Sequence, residues 1–141
     1  FVLKTLQNYA NQHPDQNWKV SGQESKQFYG RYRSIRPDIV LTHDEITYVI
    51  DTKWKRPYNN AASIEDLRQM YTYARFWNAN KVMLLYPGKP YDSGYQPYPN
   101  KIDIYDHRNE HHRCKIGMVN VLDEGKLSKT VAEEVLGMVS V

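Results

Sequence analysis

Several common classes are excluded by what this sequence has little of. It holds one cysteine, Cys114, so no disulfide can form within the chain, and a reducing, cytoplasmic setting is expected. No apolar run reaches the ~20 residues needed to span a bilayer, so no membrane association is expected. No GxxxxGK(S/T) run appears, so the chain has no phosphate-cradling loop of its own and is not a nucleotide-driven motor. Internal repeats, low-complexity tracts and a secretory leader are also missing. The chain opens at Phe1 rather than at methionine, so an upstream segment is expected. Charge is close to balanced, with 19 Lys and Arg against 16 Asp and Glu. That mild excess permits a polyanionic partner without requiring one.

What remains is an ordinary globular composition: 141 residues, 40% hydrophobic and 25% charged, enough for a single domain with its own core. Val2, Leu3, Leu6, Tyr9 and Ala10 recur at helical spacing, and a polar loop containing Pro14 follows. From Trp18 to Leu41 the pattern favours strands, punctuated by Gly22 and Gly30, with Glu24 expected on one of them. Thr42 to Glu45 reads as a turn and Ile46 to Lys53 as a strand. Its alternation sets Ile46, Tyr48 and Ile50 on one face, and Thr47, Val49, Asp51 and Lys53 on the other.

Ser63, with Asp66 three residues on, marks a helix start. That helix is expected over 64–77, burying Ile64, Leu67, Met70, Tyr71, Ala74 and Trp77. Val82 to Tyr86 is a continuous apolar run, the mark of a strand buried on both faces. Strand, helix and buried strand make a right-handed parallel βαβ crossover. The segment 88–99 reads as an ordered surface loop. Strands are expected over 102–105 and 115–122, and a last helix over 128–139, with Val131, Val135, Leu136 and Val139 forming its apolar stripe.

Two short segments carry the chemistry: Arg36-Pro37-Asp38-Ile39-Val40 and Ile50-Asp51-Thr52-Lys53. A two-residue turn at Asp44-Glu45 pairs residues whose numbers sum to 89, setting Asp38 opposite Asp51. A turn shifted back by one sets Asp38 opposite Val49, on the same face. Facing β-carbons lie roughly 4.5–5.5 Å apart, so two carboxylates there repel unless a cation lies between them. Two carboxylates and a lysine are the parts of a metal-dependent phosphodiesterase: the carboxylates hold Mg²⁺, and the ammonium meets developing negative charge. Aspartate is disfavoured inside strands, and both of these adjoin strongly apolar residues, which favours a working role over a solvent-facing one.

Gln69 and Tyr73 share a helical face, although taken alone that helix reads as packing. Arg31, Arg33, Arg36, Lys55 and Arg56, interleaved with Tyr32, Trp54 and Tyr58, form a basic flank suited to phosphates. His107, His111, His112 and Cys114 match no common zinc spacing, and a solvated turn is the default reading.

Asp38, a gap of twelve residues and then Asp51-Thr52-Lys53 resembles the PD-(D/E)xK nuclease superfamily. Gln69 and Tyr73 resemble the QxxxY element of its RecB-like branch. More narrowly, RPDIV, YVIDTKWK, DLRQMYTYA and KVMLLYP are similar to the carboxy-terminal nuclease domain of the McrC family, the cleavage subunits of McrBC systems that restrict methylcytosine-containing DNA. The resemblance covers most of residues 1–86. It implies an α/β restriction-endonuclease-like core, with a mixed central sheet built from an antiparallel hairpin and a parallel βαβ crossover and flanked by helices.

The resemblance also implies Asp38 and Asp51 as ligands of Mg²⁺ (Mn²⁺ substituting), the Thr52 carbonyl completing the shell, and Lys53 serving the attacking water. Gln69 and Tyr73 would support them from the helix. Many members add a glutamate on their first helix, and this one shows none in its opening turns. The implied partners are double-stranded DNA and an McrB-like AAA+ GTPase that reads the modified base. Two other functions fit the same residues: a catalytically silent domain that binds nucleic acid or scaffolds proteins, and a repair or recombination nuclease that needs no partner.

Overall fold

The computed structural model describes residues 1–55, 57, 59–99, 112–123, 125–127 and 129–141. The strand expected over 102–105 lies outside them, as do Arg56, Tyr58, His107 and His111.

The chain opens with helix α1 (Val2–Gln12) and a single 3₁₀ turn (Pro14–Gln16). Strand β1 (Trp18–Gly22) follows, then a hairpin of β2 (Lys26–Tyr29) and β3 (Arg33–Ile35), and then β4 (Ile39–His43) and β5 (Ile46–Thr52). Helix α2 (Ile64–Phe76) leads into β6 (Lys81–Pro87) and the short strands β7 (Tyr91–Asp92) and β8 (Gln96–Pro97). The remainder is β9 (Arg113–Val119), a small hairpin of β10 (Leu122–Asp123) and β11 (Lys126–Leu127), and helix α3 (Val131–Ser140).

The central sheet runs in the order β1-β4-β5-β6-β9-β7, with β8 also on β9. β1, β4 and β5 are antiparallel, and β5, β6 and β9 are parallel. The mixed sheet flanked by helices matches the restriction-endonuclease-like core expected from the sequence. Ile39 faces Ile50 and Val40 faces Val49, so the register sums to 89 as the two-residue turn requires. Asp44 and Glu45 both take positive φ, 49° and 69°, the conformation whose twist suits a tight hairpin.

Alternation along β5 sorts the core into two layers. Ile39, Leu41, Tyr48, Ile50, Met83 and Leu85 pack beneath α1 and α3. Val40, Val49, Val82 and Leu84 pack beneath α2, against Met70, Tyr73, Ala74 and Trp77. β6 thus feeds both layers, as its unbroken apolar run predicts.

Helix α2 begins where Ser63 Oγ accepts from the Asp66 N–H at 3.1 Å, with Glu65 and Asp66 favouring its positive end. Its buried stripe centres on Met70, Tyr73, Ala74 and Trp77. Ile64, expected in the core, falls about 120° round the helix from that stripe and is 61% exposed.

Other boundaries also differ from the expected ones. The strand expected over 115–122 ends at Val119, and β10 is a separate piece. Helix α3 starts at Val131, after Thr130, rather than at residue 128. The loop over 88–99 contributes β7 and β8, which pair with β9. Glu24 lies in the connection between β1 and β2 rather than on a strand.

Candidate active site

β4 and β5 deliver the two aspartates, and α2 delivers the groups that surround them. Pro37 keeps the chain out of the ladder, so Asp38 sits in a bend one residue before β4 rather than on a strand. It still lies at the Asp51 position of the register, and its N–H donates to Asp51 Oδ1 at 3.3 Å. Its carboxylate turns toward β5, where Oδ2 accepts from the Thr52 N–H at 2.9 Å and from Thr52 Oγ1 at 2.8 Å. The N–H and C=O of a strand residue point to the same neighbour, so the Thr52 carbonyl also faces the Asp38 side.

Asp51 is 5% exposed. Burial pushes its carboxyl above the ordinary range and the nearby Asp38 charge adds to that push, while the bond to Lys53 pulls the other way. Lys53 Nζ lies 2.9 Å from Asp51 Oδ2 and 3.6 Å from Asp66 Oδ1, and donates to Gln69 Oε1 at 2.9 Å. Burial alone would lower the Lys53 pKa, but Asp51 and then Asp66 outweigh it and raise it. Gln69 Nε2 donates to Tyr73 OH at 3.1 Å, and Tyr73 OH donates to the Arg36 carbonyl at 3.3 Å. One continuous path of hydrogen bonds and ion pairs therefore joins Asp38, Asp51, Lys53, Gln69 and Tyr73 and returns to Arg36. Tyr73 is also a core residue, 4% exposed, and its hydroxyl is the polar end of a packed ring.

Asp66 escaped the sequence reading, which used it only to mark the start of a helix. The signal was present: Asp66, Gln69 and Tyr73 follow the i, i+3, i+7 spacing of one helical face. In this cluster two carboxylates, Asp51 and Asp66, meet one ammonium, while the Asp38 carboxylate is taken up by Thr52. Among the described residues no three His, Cys, Asp or Glu side chains cage a metal by themselves. The oxygens of Asp38, Asp51 and the Thr52 carbonyl are hard donors, the kind a cation such as Mg²⁺ takes while keeping several waters.

Two clefts open beside the cluster. One of about 300 Å³ is lined by Arg36, Asp38 and Thr52, and the other of about 600 Å³ by Lys53, Lys55 and Asp66. Trp54, 64% exposed, borders both. Of the expected basic flank, Arg36 and Lys55 adjoin the site, whereas Arg31 and Arg33 stand off on the β2–β3 hairpin. Arg56 lies outside the described residues.

Of the four clustered His and Cys residues, His112 and Cys114 are described. His112 is 2% exposed with Nδ1 2.9 Å from the Ala79 carbonyl, and burial pushes the Cys114 thiol up to about 11. Neither sits in a solvated turn, and each is built into the fold. Glu24 accepts from Ser21 Oγ and from Trp77 Nε1 at 3.3 Å, which pins the end of α2 away from the two aspartates.

The profile of the family described as "McrBC 5-methylcytosine restriction system component" matches residues 1–87. The chain belongs to that family. No curated protein matches it. Among solved structures, it is similar to a chain in a half-complex from a tetradecameric assembly of Thermococcus gammatolerans McrB AAA+ hexamers with bound McrC. That likeness has a TM-score of 0.57 at 16% identity, and covers 85% of this chain and 28% of the other. The shared fold is the finding there, and this McrBC-family chain spans just over a quarter of its neighbour's length. No described helix is long and apolar enough to cross a membrane.

Proposed function

We propose that this chain is the DNA-cleaving module of a methylcytosine-dependent restriction system, a Mg²⁺-dependent endonuclease domain of the PD-(D/E)xK type. The observation that carries this reading is the unbroken path Asp38–Asp51–Lys53–Gln69 inside an McrBC-family chain. Asp38, Asp51 and the Thr52 carbonyl would hold the cation. When bound, the cation supplies a positive centre for the phosphate and eases ionisation of water.

The protein's own groups perform the rest. Lys53 keeps its proton, because Asp51 and Asp66 hold it in the ammonium form, and it meets the negative charge that grows on the phosphate oxygens. Gln69 fixes the direction of that ammonium, and Tyr73 fixes Gln69. A water attacks phosphorus in line and the 3′ oxygen leaves. Arg36 and Lys55, at the two clefts, hold the flanking backbone.

Nothing in the chain has the pattern of a base-reading module, so the modified base is read by a partner. The neighbouring fold comes from an McrB–McrC assembly, and we carry that partnership over: an McrB-like AAA+ GTPase delivers DNA to this site. The test is cleavage of methylated plasmid by the full-length subunit with its GTPase partner, in Mg²⁺ and in Mn²⁺. We expect breaks that EDTA prevents and that Asp38→Ala reduces at least about 10²-fold. Undiminished cutting by Asp38→Ala, or in EDTA, would sink the reading.

A further inference from the structure

The β2–β3 hairpin stands apart from the sheet that carries the site. Its strands pair only with each other, Lys26 with Ile35 and Tyr29 with Arg33, across a bulge after Gln27. All four residues of β2 are exposed. Phe28 is 52% exposed, Tyr29 78% and Tyr32 93%, which is unusual for aromatic rings that have a core within reach. Gly30, at φ 59°, makes the tight turn between them.

Two features limit what such a hairpin can meet. The first is charge. Lys26, Arg31 and Arg33 are its charged side chains, Arg36 follows directly after β3, and no carboxylate lies between Ser25 and Pro37. Among the described residues no carboxylate pairs with Arg31, Arg33 or Arg36. An apolar protein surface would strand these cations, whereas a polyanion matches them. The second is its mounting. Lys26 Nζ donates to the Phe76 carbonyl at 2.7 Å and lies over the Trp77 ring, and Phe28 meets Phe76 edge-on, so the base is clamped to the end of α2. The other strand runs directly into the site: Arg36, whose carbonyl takes the Tyr73 bond, is two residues before Asp38.

We infer that the β2–β3 hairpin is a DNA-gripping element, with Arg31 and Arg33 on backbone phosphates and the Tyr29 and Tyr32 rings lying in a groove against sugars and bases. A two-stranded ribbon has the dimensions of a major-groove reader, and exposed rings carried on it can meet sugars and base edges by apolar contact while the arginines hold phosphates. The inference rests on the proposal that this domain acts on DNA, and it adds where the duplex is held. The short rigid link from Arg33 to Asp38 fixes the distance from grip to cut.

The test is equilibrium binding of the full-length subunit to a fluorescent duplex, with Ca²⁺ in place of Mg²⁺ to block cutting, over a series of salt concentrations. Arg31→Ala/Arg33→Ala should lower the slope of log affinity against log salt by about 2. Arg31→Lys/Arg33→Lys should restore the slope. Tyr29→Ala/Tyr32→Ala should weaken binding and leave the slope unchanged, since no phosphate contact is lost. The substituted side chains are exposed, and unchanged melting temperatures verify the fold.

Wild-type affinity and slope in both alanine pairs would overturn the inference. So would intact DNA binding combined with lost binding of the GTPase partner, which would make the hairpin a protein-docking element. Hydrolysis of bis(p-nitrophenyl) phosphate separates this inference from the nuclease reading. A hairpin failure leaves that activity intact and DNA binding normal, whereas a nuclease failure shows no hydrolysis in the wild type.

Discussion

Two lysine–aspartate pairs sit on this sheet, and they are inverted copies of each other. At the candidate site the acid is buried and the base half-open: the Asp51 side chain is 7% exposed and that of Lys53 24%, at 2.9 Å. On β9 the base is buried and the acid open: Lys115 is 2% exposed and Asp92 40%, at 3.1 Å. Lys115 is fully occupied. It donates to the Met138 carbonyl at 2.7 Å and lies over the Tyr95 ring, whose hydroxyl donates to the Val139 carbonyl. It thereby caps the end of α3 from inside the sheet. Lys53 is held by three side chains, not by backbone, and it lines an open cleft together with Asp66. The ion pair itself is common to both. What distinguishes the two is which member faces solvent, and whether space remains beside it; on the proposed function, that space is what suits the first pair to chemistry.

The contrast can be broken by mutation. The largest effect is expected on activity. Asp51→Ala should lower DNA cleavage by about 10³-fold while Asp92→Ala leaves it near wild type, in a plasmid-cutting assay of the full subunit. Loss in both, or in neither, would erase the distinction. Next, Lys115→Ala should cost about 3 kcal/mol by removing a buried side chain and stranding the Met138 carbonyl. Melting should fall by about 6–12 °C, with cleavage per folded molecule within about twofold of wild type.

Third, Lys53→Met should destabilise the metal-free protein by about 2 kcal/mol at neutral pH, discounted for the partial exposure of Lys53. Losing Lys53 removes the hydrogen bond and the charge that pull the Asp51 carboxyl down and leaves only the Asp38 N–H opposing burial, so its folded pKa rises further. A raised folded pKa stabilises below the unfolded value and loses that stability as pH climbs. The deficit should therefore shrink as pH falls toward the ordinary aspartate value. Urea unfolding at several pH values checks this, and a pH-independent deficit would contradict it. Last, Tyr73→Phe should cost about 1 kcal/mol and reduce cleavage by less than about tenfold, since it removes one oriented hydroxyl and keeps the ring.

Much of this arrangement could be read from residue order, for reasons of period and turn. Alternation along β5 separates Tyr48 and Ile50 from Val49 and Asp51, and the Asp44-Glu45 turn fixes which residues of β4 they meet. Ser63 marked the start of α2 because a hydroxyl at that position satisfies an N–H of the first turn. Three features were not legible. The Asp38 carboxylate turns to Thr52 because Pro37 ends the ladder early, a rotation that no spacing encodes. The i, i+3, i+7 spacing sets Asp66 on the face of Gln69 and Tyr73, but only α2 lying across β5 shows that this face meets Lys53. Lys115 is flanked by residues that would suit any half-exposed strand, and only the packing of α3 over β9 shows that it is enclosed. Each of the three depends on how one element lies on another, whereas periodicity reports on one element at a time.

The Asp44-Glu45 turn has a longer reach than its size suggests. It lies about 20 Å along the hairpin from Asp38, at about 3.4 Å per residue. It nevertheless works as the gauge that decides which atoms meet at the far end. One extra amino acid there would swing the facing residue of β4 to the opposite side of the pleat and leave Asp51 opposite a proline or a hydrocarbon. Such a protein would keep its hydrophobic layers only by slipping back into step, so homologues should vary at this corner in sequence but not in length.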